Sequence, residues 1–194
     1  MDRGYQTGGR RAAAVDGRVL FRENGKGTMK IRIAAGLFVA AIAMSSPLIA
    51  QQSSSGVGSK APAVTVADLD GQPVNLGEYI GKRAVLLEFW ATWCELCEEL
   101  LPRVREAQAT FGKDVEFFGI NVTVNQTPDK VRRYLAQHKP AFRTLYDEQG
   151  TSTRAYQVPA TSYVVIIDQR GTIAYTGSGG TQDLDAALRQ VTRN

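Results

Sequence analysis

Sulfur and imidazole are scarce in this chain: its 194 residues hold two cysteines and one histidine. A zinc site takes four ligands, so these three groups do not complete one. The single histidine, His138, stands at the end of a helical segment beside Lys139-Pro140, where a cation suits the helix dipole, and it is given no catalytic role. That also argues against a Cys–His hydrolase. Long apolar runs are lacking too. Ile33–Met44 is twelve residues, short of the ~20 that span a bilayer. No cysteine follows it, which removes a lipid-attachment site there. Net charge is missing from the main body as well. The formal charge is +4, but eight of the 23 Lys/Arg and only three of the 19 Asp/Glu lie in residues 1–50. Residues 51–194 keep 15 basic and 16 acidic side chains, so nothing calls for nucleic acid or an anionic lipid surface as partner. There is no internal repeat and no second domain.

What is present near the start reads as an export signal. Met29-Lys30-Ile31-Arg32 is a basic opening, Ile33–Met44 the apolar part, and Ser45-Ser46-Pro47-Leu48-Ile49-Ala50 a small-residue exit. Residues 29–50 are therefore expected to be a signal peptide cleaved near Ala50, with Ser45 competing and an uncleaved anchor as the alternative. This places the protein in the periplasm or otherwise outside the cytoplasm. Residues 1–28 are expected to be an over-long gene start or a disordered stretch. Residues 51–60, polar and small, read as a flexible linker. Residues 61–194 are then one domain, long enough for a proper core.

Within that domain Val64–Asp68 and Val74–Leu76 flank the turn Asp70-Gly71-Gln72-Pro73 as a hairpin. Ala84–Trp90 is nearly all apolar, as in a central strand covered on both faces. A helix is expected from about Cys94 to Phe111, ending at Gly112, with Leu96, Leu100, Val104 and Ala107 as its apolar stripe. Val115–Val122 is a strand. Thr127-Pro128-Asp129 opens a further helix whose inward face is Val131, Tyr134 and Leu135. Phe142–Tyr146, a short helix at Thr151–Tyr156, the strands Ser162–Asp168 and Thr172–Thr176, and a last helix Thr181–Val191 complete the order. Alternating strands and helices imply an α/β fold with parallel pairing, and the final hairpin adds an antiparallel edge, giving a central mixed sheet flanked by helices.

The chemistry sits in Trp93-Cys94-Glu95-Leu96-Cys97, which contains both cysteines. Cys-x-x-Cys at a helix start puts the first thiol beside unpaired N–H groups and the positive end of the dipole, which favour its thiolate. Cys94 is the expected exposed nucleophile. Cys97, one turn along and less exposed, is the resolving thiol. A structural bridge usually closes a long loop, and this pair closes almost none, so thiol–disulfide exchange is the reading. Glu88 lies six residues before Cys94 in the apolar strand, on the face of Leu86 and Trp90. Burial would raise its pKa and fit it to shuttle a proton to or from Cys97. Trp90 is expected in the core. Trp93 is expected at the surface, where it could contact substrate. Glu95, Glu98 and Glu99 crowd the Cys94 thiolate, which makes the pair less oxidising and favours electron donation.

The string Glu88-Phe89-Trp90-Ala91-Thr92-Trp93-Cys94-Glu95-Leu96-Cys97 resembles the active-site signature of the thioredoxin superfamily. More narrowly, it is similar to the exported TlpA-type thiol–disulfide oxidoreductases, which include the ResA-like cytochrome-maturation proteins. Pro102 and Val158-Pro159 match the family's helix-kinking and cis prolines. The resemblance spans roughly Ala61 to Val191. It implies a thioredoxin-like fold with an N-terminal hairpin extension, and protein disulfides as substrates. It also implies that Pro159, in cis, flanks the cysteines and leaves Val158 backbone groups free to pair with an extended substrate segment. No cofactor beyond the Cys94–Cys97 dithiol is expected, nor any metal. The expected partners are protein disulfides and a membrane-bound electron donor, with the chain itself a monomer. Leu96 replaces the usual proline before the second cysteine. Leu100 and Ala160 stand where cytochrome-maturation members often carry Glu, which weakens a specific haem-protein role. Two alternatives remain: a thiol peroxidase of the redoxin type, and a non-enzymatic copper- or haem-handling chaperone.

Overall fold

The computed structural model describes residues 55–193. The expected signal peptide (29–50), the segment 1–28 and the first part of the linker lie outside the described residues. The hairpin forms as expected, β1 (Thr65–Asp68) against β2 (Pro73–Asn75). A 3-10 turn, Leu76–Glu78, follows, capped by the Asn75 side chain. Then come β3 (Ala84–Trp90), α1 (Glu95–Phe111), β4 (Val115–Val122), α2 (Pro128–His138), β5 (Arg143–Asp147), α3 (Thr151–Ala155), β6 (Tyr163–Ile167), β7 (Ile173–Ser178) and α4 (Leu184–Thr192).

All seven strands join one sheet in the order β2-β1-β5-β4-β3-β6-β7. β3 pairs parallel with β4, and β4 parallel with β5, whereas β6 runs antiparallel to β3. The mixed α/β sheet expected from the sequence is thus what forms. Every residue of β3 is buried, as its apolar run requires. Val85, Leu87 and Phe89 face one core with Leu76 and Tyr156. Ala84 and Leu86 face the other, against Leu100 and Val104 of α1 and Leu188 of α4. Each Val, Leu or Phe side chain among them contributes about 1.5–3 kcal/mol by leaving water. Beyond Glu88 on that second face, Trp90 packs in a third cluster with Cys94, Cys97, Val131 and Tyr146.

Local chemistry fixes the element ends. Thr127 caps α2 by accepting the Lys130 N–H, with Pro128 at the first helical position. The start of α3 lacks a cap from Gly150. Instead the buried Asp147 carboxylate accepts from the N–H and hydroxyl of both Ser152 and Thr153. Pro102 sits inside α1 and has no N–H to give the Glu98 carbonyl one turn back. No helix among the described residues is long and apolar enough to cross a membrane.

Residues 55–60, expected as the end of a flexible linker, are instead fastened to the sheet. Gly58 N–H donates to the Ile173 carbonyl (2.8 Å), and Ile173 N–H returns a bond to Ser59 (2.9 Å). Lys60 bridges Thr172, and the Ser55 hydroxyl donates to the Ala155 carbonyl. Backbone groups make most of these bonds, so small polar side chains did not advertise them.

Candidate active site

β3 delivers its last buried residue, Trp90, to a short loop, Ala91–Trp93, from which α1 starts. Cys94 is the N-cap. Its Sγ accepts the Cys97 N–H at 3.1 Å, and its carbonyl accepts the N–H of Cys97 and Glu98. The first sulfur therefore occupies the place where orphan helix donors gather. Cys94 and Cys97 are joined as a disulfide, with Cα atoms 5.2 Å apart. Cys94 is not the exposed residue expected. It is 5 % accessible and Cys97 4 %, because both pack into the Trp90 cluster.

Glu88 is 1 % exposed, within the same strand face as Leu86 and Trp90. Burial alone pushes its pKa from 4.5 up to about 8. Its Oε2 has no hydrogen-bond partner. Three other buried polar atoms share that condition among the described residues: Trp90 Nε1 at the end of β3, Thr92 Oγ1 in the loop that follows it and Asn121 Oδ1 on β4. Buried polar atoms normally find partners, so this concentration marks the floor beneath the disulfide as chemically special. Tyr134 of α2 packs at a tilt against the Trp90 indole, ring centroids 5.2 Å apart. Burial, Glu98 and Glu88 together raise its phenol to about 12.

The loop after β4 holds the disulfide loop in place. Gln126 accepts the Thr92 N–H at 3.1 Å. The Trp93 indole N–H donates to the Val124 carbonyl at 2.8 Å. Trp93 is 47 % exposed, as expected, while Trp90 is in the core. With the exposed Leu96 and Val124 it supplies large apolar surface at the disulfide loop and the loop that holds it. Asn121 and Gln126 were missed in the sequence. The signal for Asn121 was weaker than the one at Glu88, because its strand also carries the polar Glu116. For Gln126 there was none.

Pro159 departs from expectation. No peptide bond among the described residues is cis. Left-handed residues stand on either side, Gln157 (φ 50) and Ser162 (φ 58). Val158 N–H is not free either, because it donates to the Thr153 carbonyl at the end of α3 (3.0 Å). The Val158 side chain packs toward the Phe89 core rather than the cysteine cluster. The link between this loop and the disulfide is Ser162, whose Oγ lies 3.2 Å from the Leu96 carbonyl. Two of the three carboxylates expected around Cys94 diverge: Glu99 lies against Gly180, and Glu98 faces Tyr134. Among the described residues no cluster of His, Cys, Asp and Glu is arranged to hold a metal ion.

Known proteins are similar to this chain. The redoxin family pattern matches residues 56–190. The thiol-disulfide oxidoreductase ResA of Geobacillus kaustophilus is 30% identical over 138 residues, covering 70% of this chain and 78% of that protein. The thioredoxin-like protein YneN of Bacillus subtilis is 30% identical over 117 residues, covering 60% and 68%. A crystal structure from Chlorobium tepidum, named for a thiol:disulfide interchange protein DsbE, superposes with a TM-score of 0.60 at 29% identity, covering 70% of this chain and 94% of its own. The chain belongs to the redoxin family, within the thioredoxin-fold proteins of the ResA and TlpA type.

Proposed function

We propose that the chain acts outside the cytoplasm by exchanging disulfides with proteins, running as a reductant when an upstream donor keeps its dithiol reduced. It is a thiol–disulfide oxidoreductase, and the observation that carries the reading is the Cys94 sulfur. That sulfur sits at the N-terminus of α1, accepts the Cys97 N–H and is bonded to Cys97. In the reduced protein the same N–H and the helix dipole favour a Cys94 thiolate. The thiolate attacks one sulfur of a substrate disulfide, and the other leaves as a thiolate that takes a proton from solvent. Cys97 then passes its proton to the Glu88 carboxylate and attacks Cys94 Sγ. The Cys94–Cys97 bond closes and the second substrate sulfur leaves. Two electrons have moved from the dithiol to the substrate.

The product of this sequence is a disulfide above a protonated Glu88. Burial favours that protonated form up to pH about 8, within reach of a general acid–base working near neutrality. An upstream donor, membrane-bound in this reading, reopens the bond, and Glu88 returns the proton to Cys97. Trp93, with its exposed indole beside the disulfide, forms the substrate-facing surface. The monomer needs no cofactor beyond its dithiol. Export rests on the basic, apolar and small-residue segments of 29–50, and N-terminal sequencing of the processed form checks it.

The test is Cys97→Ser. With no resolving thiol, the variant accumulates mixed disulfides to protein partners through Cys94, visible on non-reducing gels and lost in Cys94→Ser/Cys97→Ser. A Cys97→Ser protein that captures no partner sinks the reading.

A further inference from the structure

We propose that the Phe142 ring is the partition between Glu88 and solvent, seated in a notch that Gly119 leaves open. In register, Glu88 of β3 pairs with Gly119 of β4, and parallel partners point to the same face. A Cβ on Gly119 would fall 2.1 Å from Phe142 Cε2 and 2.4 Å from Cδ2. Phe142 thus fills the room a side chain at 119 would take, and that room is beside Glu88, since neighbouring strands lie about 4.8 Å apart. The ring also reaches Trp90, centroids 5.8 Å apart, and packs against both clusters that meet at Glu88, the Leu86 cluster and the Trp90 cluster.

The other side of the ring is wet. Phe142 is only half-buried, and with Leu69, Leu135 and Pro140 it lines a surface pocket of about 380 Å³. One aromatic ring therefore separates a solvent-open pocket from a carboxyl whose Oε2 has no partner. Water excluded by that ring cannot solvate the charged form, and burial is the sole cause found for Glu88 holding its proton. The ionisable groups near Glu88 are few. α1 brings Glu98 and Arg105 near Tyr134, and α2 brings Tyr134 with His138 stacked on it. β6 brings only Val164 opposite Glu88. Asp68, Asp70, Lys139 and Arg143 lie on the pocket side of the ring. None of these replaces the ring as the barrier to water.

The consequence for exchange rests on the proton role given to Glu88 above; the partition itself does not. The test is carboxyl ¹³C NMR titration of the oxidised protein. Phe142→Ala admits water, and the Glu88 midpoint falls by about one pH unit or more from its starting value near 8. Phe142→Leu, which keeps apolar bulk, falls less. Gly119→Ala, which pushes the ring from its notch, shifts the midpoint the same way, and these two carry the test should Phe142→Ala not fold. A Glu88 midpoint unmoved in the folded variants overturns the partition. The pH profile of disulfide exchange, measured in parallel, separates the two ideas. If it follows the titration, both stand. If the titration moves and the profile does not, the partition is upheld and the proton role of Glu88 falls.

Discussion

The Ser162 hydroxyl shares its one proton between the Leu96 carbonyl at 3.2 Å and the Gly179 carbonyl at 3.1 Å. One side chain thereby ties the loop after Pro159 to the first turn of α1, between the two cysteines. Ser162 is held at φ 58, a left-handed conformation that only glycine adopts freely. Removing the hydroxyl in Ser162→Ala costs about 1 kcal/mol, read from urea unfolding. Ser162→Gly loses the same bond but relieves the backbone, so it costs less than the alanine variant. The reverse order would show that the left-handed backbone is not under strain.

Glu88 makes stability depend on pH in an unusual direction for a carboxyl. Its pKa is raised from 4.5 to about 8 in the folded protein. Between those values the folded form keeps a proton that the unfolded form releases. The Glu88 contribution to stability is therefore full below pH about 4.5, declines as pH rises, and levels off above about 8. The slope is of order 1 kcal/mol per pH unit. Denaturant titrations of the oxidised protein across that range should show the decline, and Glu88→Gln should remove it.

Asp147 anchors α3 from within the core. Its carboxylate accepts four bonds from Ser152 and Thr153, at 2.7 to 3.2 Å. Asp147→Ala orphans buried donors at a helix start and should destabilise the fold by about 2–4 kcal/mol. Because α3 leads directly to Val158 and Pro159, protease cleavage in residues 150–160 should rise as well. A variant within a few tenths of the wild-type value would refute the anchoring role.

Trp93 separates binding from chemistry. Its ring is largely at the surface, so Trp93→Ala should leave the unfolding midpoint nearly unchanged. Reaction with dithiothreitol, which needs only the sulfurs, should hardly change. Reduction of a protein disulfide should slow by about tenfold, the size of a ~1.4 kcal/mol contact. Equal losses with both substrates would mean that the indole's bond to Val124 shapes the dithiol itself.

Much of the fold was legible because its signals are local. The apolar run at Ala84–Trp90 and the Thr127-Pro128 start of α2 determine their own elements. The Cys-x-x-Cys spacing located the disulfide, and one acid in an apolar strand located Glu88. The rest depends on distant residues meeting. Nothing near Gly119 in sequence announces that Phe142 will fill its place. The depth of Cys94 arises from the Trp90 cluster, assembled from β3, α1, α2 and β5. The conformation around Pro159 is set by Gln157 and Ser162 and by the Thr153 carbonyl, none of which a proline motif encodes.

The segment from Gly58 to Ala61 binds the backbone at 171–173, at the start of the outermost strand β7. At the opposite margin, β2 is three residues long and begins with Pro73, which has no N–H to offer. The β2 margin and the start of the β7 margin thus present little continuous backbone for another copy to zip onto. Truncation through residue 60 would bare one margin and should raise the tendency to self-associate at high concentration.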